Sequence, residues 1–345
     1  MWRFTSRFKQ PERFKRCLGI LLLVIAAYLG LAATAAPQTK NLSLASTEWP
    51  PFTDVPGKPR FALDLVHAAL GRIGIVAVTS IVDESRLTPS LINGDYEGSA
   101  ALWKSEERES ALIYSEPYLE NRLILVGRKG SDVSATSLDA LRGKRLALVE
   151  GYAYGDSVNK SNGPVFVRSS SEEDSLRKLL SKDADYTLMD ELVVEYIVRN
   201  YSKEARTRLA IGANPLIVRT LHLAVSRKIA DAQSIVDRFN VELKRMIEDR
   251  SYHRLLQLDW IETDIDGDGR SELVPSDEKA GKVAPTHGYK LSTTTNKTES
   301  PSTPRFYFGG KVYNDWASVP DIHKAPRPPG TLTGGSQYTA FTFKW

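Results

Sequence analysis

The chain has 345 residues, with 46 Lys and Arg against 42 Asp and Glu and one cysteine. Residues 1–35 hold six of the basic residues and one acidic residue, Glu12, which leaves 40 against 41 in the remainder. That near-neutral remainder lacks the basic footprint of a nucleic-acid binder, and with Cys17 in the leader it has neither a disulfide nor a thiol nucleophile.

Arg3, Arg7, Lys9, Arg13, Lys15 and Arg16 precede an apolar run from Cys17 to about Ala33 and then ATAAP. This is the layout of a secretory signal peptide over residues 1–35, with Ala33 and Ala35 as an A-x-A cleavage site. The alternative is an uncleaved anchor helix, for which the run is at the short end. Cys17 opens the run instead of ending it, which argues against a lipid anchor.

From Asn41 to about Trp260 short β-type runs alternate with helical ones, the pattern of an α/β fold with helices on both sides of a sheet. LSLAS reads as a strand and RFALDLVHAALGRIG as a helix, with Phe61, Leu65, Val66, Ala69, Leu70 and Ile73 on one stripe. IVAVTSIV is the next strand, followed by a helix around Leu87 to Ile92 and the strands GSAALW and RLILVGRK. SLDALRG is a short helix stopped by Gly143, and KRLALVEG a strand that runs into GYAYGDSV, a turn opening a helix. VFVRSS and ADYTLMD are strands joined by a helix with a capping-box start, Ser170 to Glu173. After the helix ELVVEYIVRNY, TLHLAVS is a return strand, and helices from about Ala230 to Asp249 and on to Leu258 close the unit.

Beyond Trp260 the character changes. DIDGDGRSEL, within residues 263–275, alternates Asp264, Asp266 and Asp268, with Gly269 at a sharp-turn position and Arg270 and Glu272 completing the set. Alternating carboxylates of this kind suit Ca²⁺, a hard cation that takes six to eight oxygens. Pro275 at the twelfth position excludes the helix-loop-helix version, so the stretch resembles the shorter D-x-D-G-D-G-x-x-E loops of other calcium-binding repeats; the alternative is a solvated acidic turn. Residues 276–305, rich in Lys, Ser, Thr and Pro, read as a flexible linker. Residues 306–345 read as a small aromatic-rich tail, a short β-rich appendage or clamp.

Several stretches in order carry a family resemblance. EWPPFTD matches an early loop of an aromatic followed by Pro-Phe, and LINGDYEGSAALWKSEERESALIYSEPY a segment ending in Arg and then Ser-x-Pro-Tyr. SLDALRGKRLALVEGYAYG matches an entry strand with its Gly turn, ADYTLMD a strand ending in Asp, and LHLAVSRK a return strand. Residues 41–260 thereby resemble the type II periplasmic binding proteins, amino-acid-binding branch, the bacterial extracellular solute-binding proteins of family 3. The resemblance implies two α/β lobes, residues 40–122 with 222–262 and residues 123–221, joined by strands crossing near Leu123 to Val126 and Thr220 to Ala224. Ligand lies in the cleft between such lobes, and a membrane partner reads the closed form.

The resemblance places Arg108 where the family grips a ligand α-carboxylate, a task that suits a planar guanidinium fork; the alternative is a surface Arg in SEERES. Asp190 matches the carboxylate that holds the ligand α-amino group, with an N-cap for the helix at Glu191 as its rival. Trp49 falls where an aromatic ring stacks on the ligand, or else in the core. Gly151 and Tyr152 open a helix whose N–H groups favour an anionic ligand end. Trp103 departs from the pattern, standing where a small hydroxyl residue is usual; Arg60 replaces a common Gly, and Glu97 stands near a usual Asp. A tryptophan in the cleft wall shrinks or re-aims the pocket, toward an aromatic, cationic or dicarboxylate compound.

The resulting expectation is a monomeric periplasmic receptor for a small polar solute, amino-acid-like, serving an ABC importer or a membrane sensor. It has no catalytic residues and requires no cofactor, with Ca²⁺ as the candidate ion of the C-terminal loop. Two alternatives remain open: a dehydratase-like enzyme with Glu48 or Glu97 as general acid, and an envelope interaction protein that uses the aromatic tail.

Overall fold

The computed structural model describes residues 40–291 and 303–326. The expected signal peptide, the stretch 292–302 of the expected linker and the end of the tail lie outside the described residues.

In chain order the first elements are β1 (Lys40–Ser46), α1 (Phe61–Arg72), β2 (Ile75–Ile81), α2 (Glu84–Asn93), β3 (Gly98–Trp103), α3 (Glu106–Glu109), β4 (Leu112–Tyr114) and β5 (Leu119–Arg128). They continue with β6 (Arg145–Val149), α4 (Asp156–Asn159), β7 (Val165–Ser169), α5 (Glu172–Leu180), β8 (Tyr186–Asp190), α6 (Glu191–Asn200), α7 (Ser202–Arg208) and β9 (Leu209–Ser226). Next come α8 (Ala232–Glu248), α9 (Ser251–Leu256), β10 (Trp260–Thr263), β11 (Glu272–Pro275), β12 (Tyr289–Lys290), β13 (Arg305–Phe308) and β14 (Lys311–Tyr313).

One sheet runs in the order β2-β1-β3-β9-β5-β8-β6-β7, with β4 on β9. β1 pairs in parallel with β2 and β3, and β6 with β7 and β8. Each parallel set is the centre of a lobe. The lobes meet through β5 and β9, which run antiparallel from Leu119 opposite Leu221 to Arg128 opposite Leu209. The helices cover the faces as their stripes require: α1 buries Phe61, Leu65, Val66, Ala69 and Leu70, and α8 buries Ile235, Val236, Phe239, Leu243 and Met246. The return strand extends well beyond TLHLAVS, since β9 begins at Leu209. Its first half mixes buried, half-buried and exposed residues, so it lacks the continuous apolar run that marks a buried strand.

The cap of α5 differs from expectation by one residue. Ser171, not Ser170, is the N-cap, accepting from the Asp174 N–H at 3.1 Å. Asp174 in turn accepts from the N–H of Ser170, the residue before the cap, at 2.9 Å, a variant of the reciprocal box shifted by one residue. This shift makes Glu172 the first residue of the helix.

Of the stretch expected as linker, Tyr289 and Lys290 pair with β10. Leu291 is 3% exposed, and Tyr289 is half-buried, its hydroxyl withdrawn from solvent near Asp190, Tyr252 and Glu120. A two-residue strand leaves no trace in a composition averaged over thirty residues, which is why polarity alone pointed to a linker. The aromatic tail joins a second sheet, β12-β10-β11-β13-β14, in which Leu273, Phe306, Phe308 and Val319 form a small core.

Candidate functional site

The cleft lies at the carboxyl ends of the parallel strands, where open α/β sheets place their ligands. The loop after β1 brings Trp49, the end of β3 brings Trp103, and the turn after β6 brings Tyr152 and Tyr154. Trp49 meets the rings of Trp103 and Tyr152 edge-on at 5.5 Å each, and Trp103 lies 5.6 Å from Tyr152 and 5.8 Å from Tyr154. Gly151 sits at φ 88°, and a Cβ there would come within 2.8 Å of the Glu84 side chain from the other lobe. The lobes touch, and only glycine permits the approach.

The polar contacts of the cleft are specific. The Trp49 indole N–H donates to Glu172 Oε1 at 2.8 Å, bridging the lobes. Trp103 Nε1 donates to Asn121 Oδ1 at 2.7 Å, and Asn121 Nδ2 donates to Asp190 Oδ2 at 3.1 Å. The other Asp190 oxygen accepts the Leu192 N–H at 2.8 Å, so this fully buried carboxylate is the N-cap of α6 and does not line the cleft in this conformation. Arg108 is 6% exposed and faces the cleft. Its Nη2 donates to the Trp103 carbonyl at 2.8 Å and its Nη1 to Thr88 Oγ1 at 3.2 Å, while its buried Nε has no hydrogen-bond partner. Arg219 lies over the Trp103 ring at 5.8 Å. Arg60 is away from the cleft, paired with Asp64, and Glu97 accepts the Ser43 N–H.

Two spaces remain. One, of about 40 Å³, adjoins Arg108, Trp103, Leu87 and Leu221. The other, of about 370 Å³, lies between Trp49, Tyr152, Glu84 and Glu172. Sequence reasoning missed Glu84, Asn121 and Glu172. A usable signal existed: Glu84 and Glu172 each open a helix that follows a strand of a parallel set, and residues at such helix starts face the cleft.

Burial pushes Glu172 up to about 8; the Trp49 N–H opposes the shift and Asp190 adds to it. Asp190 is raised to about 7 by burial against its bonds from Asn121 and Leu192, and Glu272 to about 7 by burial. For an acid whose folded pKa exceeds its unfolded value, stability is complete below the unfolded pKa and declines as pH rises to the folded one. His67 and His222, both lowered to about 4 by burial, act oppositely, but only below their ordinary value of 6.5. The ligand-free protein is therefore expected to lose thermal stability as pH rises from 6.5 to 8, and Glu172→Gln to flatten the upper part of that decline. A melting temperature that rises across this interval would contradict the assignment.

The acidic loop joins β10 to β11. Asp264, Asp266 and Asp268 each offer an oxygen within 4.8 Å of the others. Asp264 Oδ1 also accepts the Gly267 and Asp268 N–H groups at 2.7 and 3.1 Å, and Oδ2 that of Gly269 at 2.9 Å. Arg305 of β13 enters the same cluster. It is 6% exposed and pairs with Asp268 at 2.9 Å, Glu272 at 2.8 Å and Asp266 at 3.4 Å. Arg305 and Arg270 hold Asp268 well below the usual carboxylate range. Arg270 donates to Asp268 from its side chain. The three aspartates bring oxygens close together, but those of Asp264 accept backbone N–H groups, and Asp268 and Glu272 are engaged by Arg305.

Residues 44–262 match the family described as bacterial extracellular solute-binding proteins, family 3. Putative ABC transporter arginine-binding protein 2 of Escherichia coli (strain K12) is 29% identical over 136 residues, 38% of this chain and 54% of that protein. The alignment thus spans about half the length of that curated relative. Among solved structures, a mutant of ArgBP from T. maritima superposes with a TM-score of 0.53 at 23% identity, covering 63% of this chain and 93% of that one. The GluR0 ligand-binding core from Nostoc punctiforme, in complex with L-glutamate, gives 0.52 at 21% identity, covering 62% and 96%. At these identities the structural likeness speaks for the two-lobed fold. The matched segment runs from β1 through both lobes to β10, and the chain belongs to the bacterial extracellular solute-binding proteins, family 3.

Proposed function

We propose that this solute-binding protein is a monomeric periplasmic receptor that closes around a small polar solute, an amino acid or related compound, and presents the closed form to an ABC importer or a membrane sensor. The observation that carries the reading is the interlobe cleft, where Trp49 and Glu84 of one lobe meet Tyr152 and Glu172 of the other around a space of about 370 Å³, within the range of small-molecule sites. Side chains from both lobes enclose it, so a bound solute favours closure by contacting both at once. We also propose calcium as the exogenous cation of Asp264, Asp266 and Asp268, competing with Arg305 for their charge. Apart from that ion the reading requires no cofactor.

The receptor reading is tested by native mass spectrometry of protein purified from its host, followed by thermal-shift measurements with the amino acids and their amine and acid derivatives. A co-purified small molecule that raises the melting temperature of refolded, ligand-free protein is the expected result. No stabilisation by any member of the panel would sink it in favour of an interaction protein, and turnover of a panel member would favour an enzyme.

A further inference from the structure

We infer that the cleft's open chamber is a site for an organic cation, an ammonium or guanidinium, held by Glu172 and Glu84 beside the touching rings of Trp49 and Tyr152 without a grip on an α-carboxylate. This inference rests on the receptor reading and names the solute class of the same cleft.

The first ground is charge. Glu48, Asp83, Glu84, Glu172 and Glu173 all line the chamber of about 370 Å³, and among the described residues no lysine or arginine lines it. Glu48 and Asp83 are exposed, which places them at the rim, whereas Glu84, Glu172 and Glu173 are partly buried. Such a wall repels a carboxylate and attracts a positive charge, the more so away from bulk water.

The second ground is an unfilled acceptor. Glu172 Oε1 accepts the Trp49 N–H, but Oε2, equally withdrawn from solvent, has no hydrogen-bond partner. A buried oxygen without a donor costs free energy, and a donor brought by a ligand removes that cost. The N-terminus of α5 beside it would ordinarily favour an anion. Here its first turn carries Glu172, Glu173 and Asp174, and Ser171 and Asp174 cap it, so its positive end is already answered. Burial pushes both Glu172 and Glu84 upward; at Glu84 a hydrogen bond with Thr47 and the charge of Arg108 oppose the shift, whereas no basic group opposes it at Glu172. The groups around Glu172 are Trp49, Asp190, Tyr152, Tyr154 and Glu84, none of them basic.

The third ground is what has become of the other end of the cleft. The space at Arg108 is about 40 Å³, room for a few waters and not for an α-carboxylate with its ammonium. Trp103 fills that end: its N–H engages Asn121, which engages Asp190, and its carbonyl engages Arg108. The groups that would clasp an amino-acid head are bonded to Trp103 or behind it. The aromatic faces that remain, Trp49 and Tyr152, suit a cation by their quadrupoles.

The test is calorimetric titration of refolded, ligand-free protein at pH 8 with three probes: agmatine, which is arginine without its carboxylate, then arginine, then glutamate. Agmatine is expected to bind at least as tightly as arginine, glutamate not to bind, and Glu172→Gln to weaken agmatine tenfold or more. Glu84→Gln, expected to weaken it severalfold, carries the test if the first variant does not fold. Binding of either cation should release protons, seen as heats that change with the ionisation enthalpy of the buffer. Glutamate binding, or arginine binding more than tenfold tighter than agmatine, would overturn the inference and leave the receptor reading standing. Absence of binding by both cations while another solute binds would also overturn it. Failure of every solute in the wider panel would bring down both.

Discussion

Arg305→Ala is expected to loosen the C-terminal sheet while the two lobes stay folded. Arg305 is the buried counter-charge of three carboxylates from the β10–β11 segment, and one of them, Glu272, is fully buried. Removing one member of a buried ion pair costs about 3–5 kcal/mol, because the partner is left charged in a poor solvent. Glu272, raised to about 7 even with Arg305 present, has then lost its only cationic partner among the described residues. Trp260 of β10 and Trp316, which packs on the same small sheet after β14, contact Phe306 and Phe308, so a change in tryptophan emission and new protease sensitivity near Arg270 report its loosening. The variant also tests calcium, because it removes the buried guanidinium and leaves only the exposed Arg270 on Asp268. Titration of calcium into chelator-treated protein should give saturable heat, larger for Arg305→Ala than for wild type, and calcium should restore part of the variant's stability. No heat in either protein would remove calcium and leave Arg305 and Arg270 as the counter-charges of the turn.

Trp103→Ser should have the second large effect, in two parts. Trp103 is 6% exposed and touches Trp49, Tyr152 and Tyr154, with Arg219 over its ring. Truncating a buried tryptophan costs about 3–5 kcal/mol, which lowers the melting temperature by roughly 10 °C in a chain of this size. The variant also frees Asn121 from Trp103 and opens the space beside Arg108, which creates room for an α-amino-acid head. A response to small neutral amino acids in the variant, stronger than in wild type, is therefore expected in thermal-shift measurements. Lost stability with no new response would mean that Trp103 is a core residue and not a plug.

The alternation of strands and helices from Asn41 to Trp260 was legible because each element announces itself locally. The α1 stripe and the all-buried β3 are written in consecutive residues, and the structure has them within a residue or two of the expected bounds. Trp49, Trp103, Arg108 and Tyr152 line one space. What was not legible depends on contacts distant in sequence. Glu172 gained its position from a one-residue shift of a cap and its partner Trp49 from 123 residues away. Asp190 could be read equally as a ligand carboxylate or an N-cap; the Asn121 contact and its full burial follow only from the pairing of β5 with β8. The link between Arg305 and the acidic loop crosses 37 residues of polar chain, across which no periodicity carries information.

The hydrogen bond from Trp49 to Glu172 turns solute charge into mechanical preference. With Glu172 protonated, the indole N–H meets a neutral acceptor, and the tie between the lobes is an ordinary one. A cation settling on the second oxygen ionises the carboxylate, and a bond to a charged acceptor is roughly twice as strong as one between neutral groups. The gain appears at Trp49, on the opposite lobe, without the solute touching that N–H. Closure is thus rewarded at a bond the ligand does not itself make, and a neutral solute of the same shape, however well it fills the space, leaves that tie at its resting strength.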